Sequence, residues 1–423
     1  MKTTLSFGII LGLTLLAFSP ASAQGVTAVP FLRISSSVEG NGMGGISASV
    51  PTDNAMSVIA NPGQLGLLSI KSFLTAGVYT EKTLWLPQFN QEDLTYNTSA
   101  LNAGINLNRL TFLPLPVSLG VGYSRIFLNL GTFARVSSVA PESIRYFQSN
   151  EKCEDFSIAV GFDYPVRVGL GLSYKSIESN LSSIGTEQEE GTGSAKASAV
   201  DYGVIVTAPI TEMISSALVE PLELCPKAAP LLDVTVGYAR SNLGDEVTYV
   251  DPGQRDPLPR NATLGLSIEL GIVSRALSSD WKILSLTWAR EVEDLLVKRF
   301  SGGGFEYRGW FGDIKPFDNL ILGKWGGNVE LRKGWQLEVG EIVSVRGGSY
   351  TGTGSLMYET SGYSIRLSGF LKLIEAMNRS AVSGTWLGFV KDHFDLQYHS
   401  SSYGESTSPV SGTSFKGVNL VIR

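Results

Sequence analysis

FSIAVGFDYPVRVGLGLSYK, residues 156–175, decides the fold of this 423-residue chain. Phe156, Ile158, Val160, Phe162 and Tyr164 alternate with Ser157, Ala159, Gly161 and Asp163. After Pro165 the pattern resumes, with Val166, Val168, Leu170, Leu172 and Tyr174 set against Arg167, Gly169, Gly171, Ser173 and Lys175. Successive side chains of a strand point to opposite faces, so the stretch predicts two strands joined by a tight turn, each with one greasy and one small or charged face. A dry sandwich core would not take Asp163, Arg167 and Lys175 on its inner side. A polar lumen surrounded by a lipid-facing exterior would.

The same alternation recurs outward from this hairpin. It is seen in Val117, Leu119, Val121 and Tyr123, in Leu232, Val234, Val236 and Tyr238, and in Leu264, Leu266, Ile268 and Leu270. The segments are about ten residues long with aromatics near their ends, the signature of strands crossing a bilayer. Fourteen are predicted, near 72–82, 98–108, 115–129, 154–164, 166–177, 198–208, 231–241, 261–272, 281–290, 334–342, 343–350, 361–373, 391–401 and 412–422. The expected fold is therefore all-β: a transmembrane antiparallel β-barrel over residues 71–423 with both chain ends on the periplasmic side. The many Gly and Ser on the small face predict a narrow interior.

Composition excludes other classes. Glycine is abundant (47 residues), hydrophobics reach 43% and charged residues only 17%, yet no segment after the amino terminus has an unbroken apolar run of helical spanning length. A net charge of −6 offers no basic surface for nucleic acid. At the amino terminus, Lys2, the apolar run Phe7 to Phe18 and the small residues Pro20-Ala21-Ser22-Ala23 read as a cleaved signal peptide over residues 1–23. Export to the bacterial outer membrane is expected, with membrane lipid as a partner.

Three pieces stand outside the strand pattern. Residues 24–70 are Gly-rich, do not alternate, and are expected to plug the lumen as a hatch. Pro209 to Pro230 is predicted to hold a short periplasmic helix, with Thr211 as N-cap. Residues 291–333 form the longest predicted external loop, where Phe305, Tyr307, Trp310, Phe311 and Trp325 are candidate partner-binding residues, since exposed aromatics supply much of the energy of interfaces.

Gly42-Met43-Gly44-Gly45, Asp53 before Asn54-Ala55, and Asn61-Pro62 followed by Gly63-Gln64-Leu65 resemble the hatch signature of the FadL-like outer-membrane superfamily, and specifically its PorV/PorQ branch. Gly63 and Gln64 depart from that pattern. Ser241-Asn242-Leu243-Gly244 through Leu258-Pro259-Arg260-Asn261, and the terminal Phe394-Asp395-Leu396 and Gly417-Val418-Asn419-Leu420, are similar to later segments of the family. The resemblance implies a fourteen-stranded barrel with an N-terminal hatch. For PorV-like members it further implies a shuttle of type IX protein secretion, with the translocon and secreted cargo proteins as partners. The alternative is a FadL-like conduit for hydrophobic small molecules, holding a hydrophobic ligand in the lumen. A conduit needs an apolar path beside the hatch; a shuttle can have a filled interior.

Chemistry-bearing patterns are weak. Gly40 to Gly45 formally fits a dinucleotide-binding glycine motif, but Pro51 interrupts the helix it requires and Asp53 comes too early. His393, Asp395 and His399 are predicted on one face of one strand, with the histidines about 20 Å apart at ~3.3 Å per residue, too far to share a metal. No catalytic, cofactor or metal role is assigned, and the chain is read as a non-enzyme. Cys153, at the external start of its strand, and Cys225, in a periplasmic segment, are expected on opposite rims, beyond the Cα reach of about 7 Å of a disulfide.

Overall fold

The computed structural model describes residues 26–109, 115–136, 144–182, 192–218, 222–250, 255–277, 280–300, 304–352, 356–404 and 408–423. The expected signal peptide lies outside the described residues. Fourteen strands form the barrel: β1 (Leu74–Tyr79), β2 (Thr95–Asn106), β3 (Val117–Val136), β4 (Ile144–Asp163), β5 (Arg167–Ser182), β6 (Gly193–Pro209) and β7 (Ala228–Gly244). They continue with β8 (Asn261–Ser274), β9 (Trp281–Leu295), β10 (Val329–Val339), β11 (Val343–Thr351), β12 (Met357–Arg366), β13 (Phe394–Tyr403) and β14 (Ser414–Ile422). Every neighbour is antiparallel, and β1 pairs with both β2 and β14, Leu74 opposite Ile422, which closes the sheet. Closure leaves no unpaired edge, the condition for a sheet to sit in lipid.

The alternation read from the sequence maps onto the two faces. Leu119, Val121, Ile158, Leu170, Leu172, Leu286 and Leu337 are exposed on the outside, while Ser118, Ser157, Ser173, Ser267, Ser285 and Glu338 are buried within. Tyr123 sits opposite Phe156, Phe156 opposite Tyr174 and Trp288 opposite Trp335, so exposed aromatics pair across neighbouring strands of the outer wall. The end carrying the start of β1 and the end of β14 has the tight turns after β4 and β10 and reads as periplasmic, whereas the amino-terminal Val26, whose carbonyl accepts from Arg299 at 2.7 Å, stands at the external end, so the two chain ends do not share one side as expected.

Several expectations need correcting. The twelfth strand does not run on to residue 373: the chain turns at Leu367 into helix α4 (Leu367–Met377). Leu367, Phe370, Leu371 and Ile374 recur at helical spacing, which a period-two reading overlooks. The thirteenth strand starts at Phe394, after α6 (Trp386–His393), so His393 ends a helix and does not share a strand face with Asp395 and His399. Its Nδ1 lies 2.9 Å from the Phe389 carbonyl. Helix α3 (Ile210–Ala217) is capped by Pro209, with no side-chain cap, so Thr211 lies inside it. Strand β9 runs on to Leu295 and β10 already starts at Val329, which narrows the long external connection to residues 296–328. Cys153 stands mid-strand in β4, buried in the lumen, because β4 begins ten residues earlier than expected; Cys225 is exposed in the periplasmic connection, and both are free.

Candidate functional site: the hatch-filled lumen

Residues 28–71 occupy the barrel interior. They include α1 (Val38–Asn41) and α2 (Gly63–Lys71), and most of their side chains are buried. The small lumen face is the seat for this segment, which explains the inward glycines better than narrowness alone. A Cβ on Gly171 would stand 2.1 Å from the Pro62 carbonyl oxygen, one on Gly169 2.1 Å from that of Gly63, and one on Gly348 2.3 Å from the carbonyl carbon of Met43. Backbone therefore lies directly on backbone around much of the barrel.

The hatch motif residues are brought together as anchors. Gly44 adopts φ +77°, a left-handed conformation, and its N–H donates to Thr360 Oγ1 at 2.8 Å, while Thr360 donates to the Gly42 carbonyl at 3.1 Å. Gly45 follows at φ +87°. Asn61 Nδ2 donates to the Ala48 carbonyl (2.8 Å) and the Val204 carbonyl (3.2 Å), and its Oδ1 accepts from Gly63 N (2.9 Å), so it joins hatch to wall just before Pro62 leads into α2. Gln64, the departure from the family pattern, donates to the Ser47 and Val50 carbonyls and braces the hatch internally. Asp53 pairs with Arg366 at 2.9 Å and with Arg423 at 3.6 Å. Burial pushes the Asp53 carboxyl up, but Arg366, Arg423 and Lys71 outweigh it and hold it well below the usual range.

Other anchors were not predicted. Glu291 on β9 accepts from the N–H groups of Ser47 (3.2 Å), Ala48 (2.8 Å) and Ser49 (2.7 Å) and from Ser49 Oγ (2.8 Å). Asn419 Oδ1 accepts from Ala55 N, and its Nδ2 donates to the Asp53 carbonyl. Arg33 bridges Glu293 (2.9 Å) and Glu330 (2.7 Å), and Arg332 completes the cluster on Glu293 at 2.6 Å. Glu39 meets Arg346 at 2.7 Å; burial raises its carboxyl, yet the guanidinium holds it below the ordinary value. Alternation places Asn419 inward, and it does the same for Glu291 and Glu293 only when β9 is carried past residue 290, where the expected strand stopped.

The hatch divides the lumen into two chemistries. On the external side, Val29 and Phe31 pack into an apolar chamber walled by Tyr79, Tyr96, Ile126, Leu128, Ile177 and Phe415. On the periplasmic side lies a cavity of about 380 Å³ lined by Asp53, Lys71, Arg167, Glu269, Lys282, Glu338, Arg366 and Arg423 among others.

The aromatic candidates of the external loop do not gather over the mouth. Residues 297–299 and 305–307 form a hairpin, and the following segment descends along the outside of β6 to β10. Trp310 packs on Tyr202 at 5.9 Å, its carbonyl accepts from Tyr238 Oη at 2.8 Å, and Phe311 lies 5.1 Å from Tyr238. Phe305 packs edge-on to Tyr307, which carries the Arg260 guanidinium 3.6 Å above its ring. Ile314 and Leu320 bury against Ala262, Leu264 and Val292, and Arg308 is held by Asp294 and Asp313. Trp325 stays exposed.

No protein-family model matches the chain. No curated protein matches it either. Among solved structures it is similar to the Pseudomonas putida toluene transporter TodX (12% identity, 90% of this chain and 96% of that chain, TM-score 0.37). It is also similar to the Ralstonia pickettii toluene transporter TbuX (11%, 90% and 96%, 0.35) and to a Pseudomonas aeruginosa FadL homologue (9%, 91% and 97%, 0.35). These likenesses concern the fold alone. None of the three marks the PorV/PorQ branch that the hatch motif resembles.

Proposed function

We propose that this chain is a gated FadL-like conduit of the bacterial outer membrane for hydrophobic small molecules, with the hatch as its gate. The observation that carries the reading is the apolar chamber on the external side, now filled by the chain's own Val29 and Phe31. A hydrophobic solute displacing that segment would exchange one apolar filling for another, at little loss of buried surface. The charged cavity beneath favours this position for the solute, since an apolar molecule has no partners there. The toluene transporters that the fold resembles handle solutes of this class by name. The same reading assigns no catalytic role to the chain.

The secretion shuttle implied by the PorV-like motif is the second reading. It is favoured by the exposed aromatics of residues 300–325, Phe300, Trp310, Phe311, Phe317 and Trp325. A gene deletion complemented by two variants separates the two. As a conduit, altering Asn61-Pro62 changes uptake of a labelled monoaromatic or fatty acid, whereas shortening residues 300–325 leaves it near the parent rate. As a shuttle, the shortened loop strands surface proteins in the periplasm while the barrel still assembles. Normal uptake in the complete deletion, together with retained cargo, would overturn the conduit.

A further inference from the structure

A helix that faces water hides its apolar side. The periplasmic connection between β12 and β13 does the reverse. In α4 the buried residues are Ser368, Gly369, Leu371, Lys372 and Glu375, while Leu367, Phe370, Ile374 and Met377 are exposed. In α6 Gly388 and Lys391 are buried, while Trp386 is 72% and Phe389 57% exposed. The charges are turned toward the protein: Lys372 Nζ lies 2.7 Å from Glu341 and donates to the Asp280 carbonyl at 2.9 Å, and Lys391 pairs with Glu375 at 2.6 Å.

The orientation is fixed by close packing and not by a swinging hinge. A Cβ on Gly369 would lie 2.2 Å from the Glu341 carbonyl oxygen, and Ser368 N donates to Asp395 Oδ1 at 3.1 Å. The exposed apolar row also continues the barrel's outer wall, where Tyr363 and Ile365 on β12, Val343 on β11 and Leu396 on β13 are exposed on the strands that the helices join or adjoin. The other helical connection at this end repeats the arrangement. Around α3, Ile214, Leu218, Leu222 and Leu224 are exposed, with Arg167 of the wall holding Glu212 of the helix at 2.7 Å.

We propose that the described residues of the periplasmic connections, 367–393, 210–218 and 222–224, lie in the periplasmic leaflet as an interfacial collar, with phospholipid headgroups and upper acyl chains as their partner. The proposal rests on reading the barrel as membrane-spanning. Its chemistry is that of in-plane helices, whose apolar residues enter the headgroup boundary by roughly 5–10 Å. Here the polar residues face the barrel mouth and the lipid covers the rest. The helices would thereby hold the rim of the charged cavity at a set depth in the membrane.

The test uses the full-length barrel in vesicles of phosphatidylethanolamine and phosphatidylglycerol. In a Cys225→Ser background, where Cys153 is buried, spin labels are placed through Met377→Cys, Phe389→Cys and Leu218→Cys. Leu286→Cys on the outer wall is the lipid reference, and Lys196→Cys, exposed at the external end of β6, is the water reference. Retained heat-modifiable migration shows that each variant is folded. Collisions with oxygen relative to a water-soluble nickel chelate are expected to be several-fold higher at 377, 389 and 218 than at 196, and closer to the value at 286. Nickel access at these sites equal to that at 196 overturns the collar. Shielding from both reagents also overturns it, because a protein, including a second copy of the chain, would then be the cover. Nickel access at 286 would instead bring down the membrane reading on which the proposal depends.

Discussion

Asp53 shows how a single hatch residue is tied to the wall. Its carboxylate reaches Arg366, which also serves Asp395 at 2.8 Å, so one guanidinium joins the plug to β12 and β13. Because the carboxyl is held below its ordinary value, its stabilising contribution is complete above about pH 4 and fades only as the pH falls below that through the depressed value. Hatch protection from limited proteolysis should therefore be the same at pH 5 and pH 7 and should decline only in stronger acid. Asp53→Asn removes the charge-assisted bond and should weaken hatch seating by about 1.5–3 kcal/mol, read as a lower urea concentration for hatch cleavage. Equal protection in parent and variant would mean that Glu291 and Asn419 hold the plug without it. Sequence motif reading found Asp53, Asn61 and the glycines because their spacing is local. It could not find Glu291, whose partners Ser47 to Ser49 lie more than 240 residues away.

Strands were legible and their continuations were not. Alternation over eight or more residues specifies which side chains meet lipid, so Leu286 on β9 is exposed opposite Leu270 and Leu337, and Ser285 is buried beside them. Leu286→Arg should cost about 2–4 kcal/mol if it lies near the midplane and impair assembly, scored by loss of heat-modifiable migration. Ser285→Ala, on the lumen side, should assemble as the parent does; equal behaviour of the two variants would reverse the assigned facing. The connections were misread for a physical reason. Leu367, Phe370, Leu371 and Ile374 fit a buried strand nearly as well as a helix, and residue type alone does not tell a surface facing lipid from one facing a core. The external loop posed the same difficulty: its aromatics were singled out as candidate partner-binding residues, but their descent along β6 to β10 depends on tertiary contacts with Tyr202, Tyr238 and Arg260 that lie 47 or more residues away.

At the scale of the whole molecule, a closed barrel with a seated hatch is a device with two states only if the hatch can leave its seat. Glycines such as Gly169 and Gly171 bring backbones into contact without interlocking side chains, and polar bonds to Thr360, Glu291, Asn419 and Arg366 add to the apolar contacts of Phe31, Leu65 and Met43 in seating the hatch. Such bonds can be exchanged for water, each at a net cost of only about 0.5–1.5 kcal/mol when neutral. A covalent lock tests whether that release is the functional event. A Cβ on Gly77 of β1 would stand 3.4 Å from the Ala55 Cβ in the hatch, close to the mean of about 3.8 Å found in disulfides. Gly77→Cys with Ala55→Cys, in the Cys225→Ser background, should therefore form a bridge on oxidation with little distortion. In the conduit reading the oxidised barrel stops taking up a hydrophobic solute and reduction restores it, while both single-cysteine variants transport in either redox state. Undiminished uptake through the oxidised barrel, with the bridge verified by mass spectrometry, would exclude hatch release from transport. Loss of surface-protein export under the same lock would instead favour the shuttle, since the hatch would then be gating cargo.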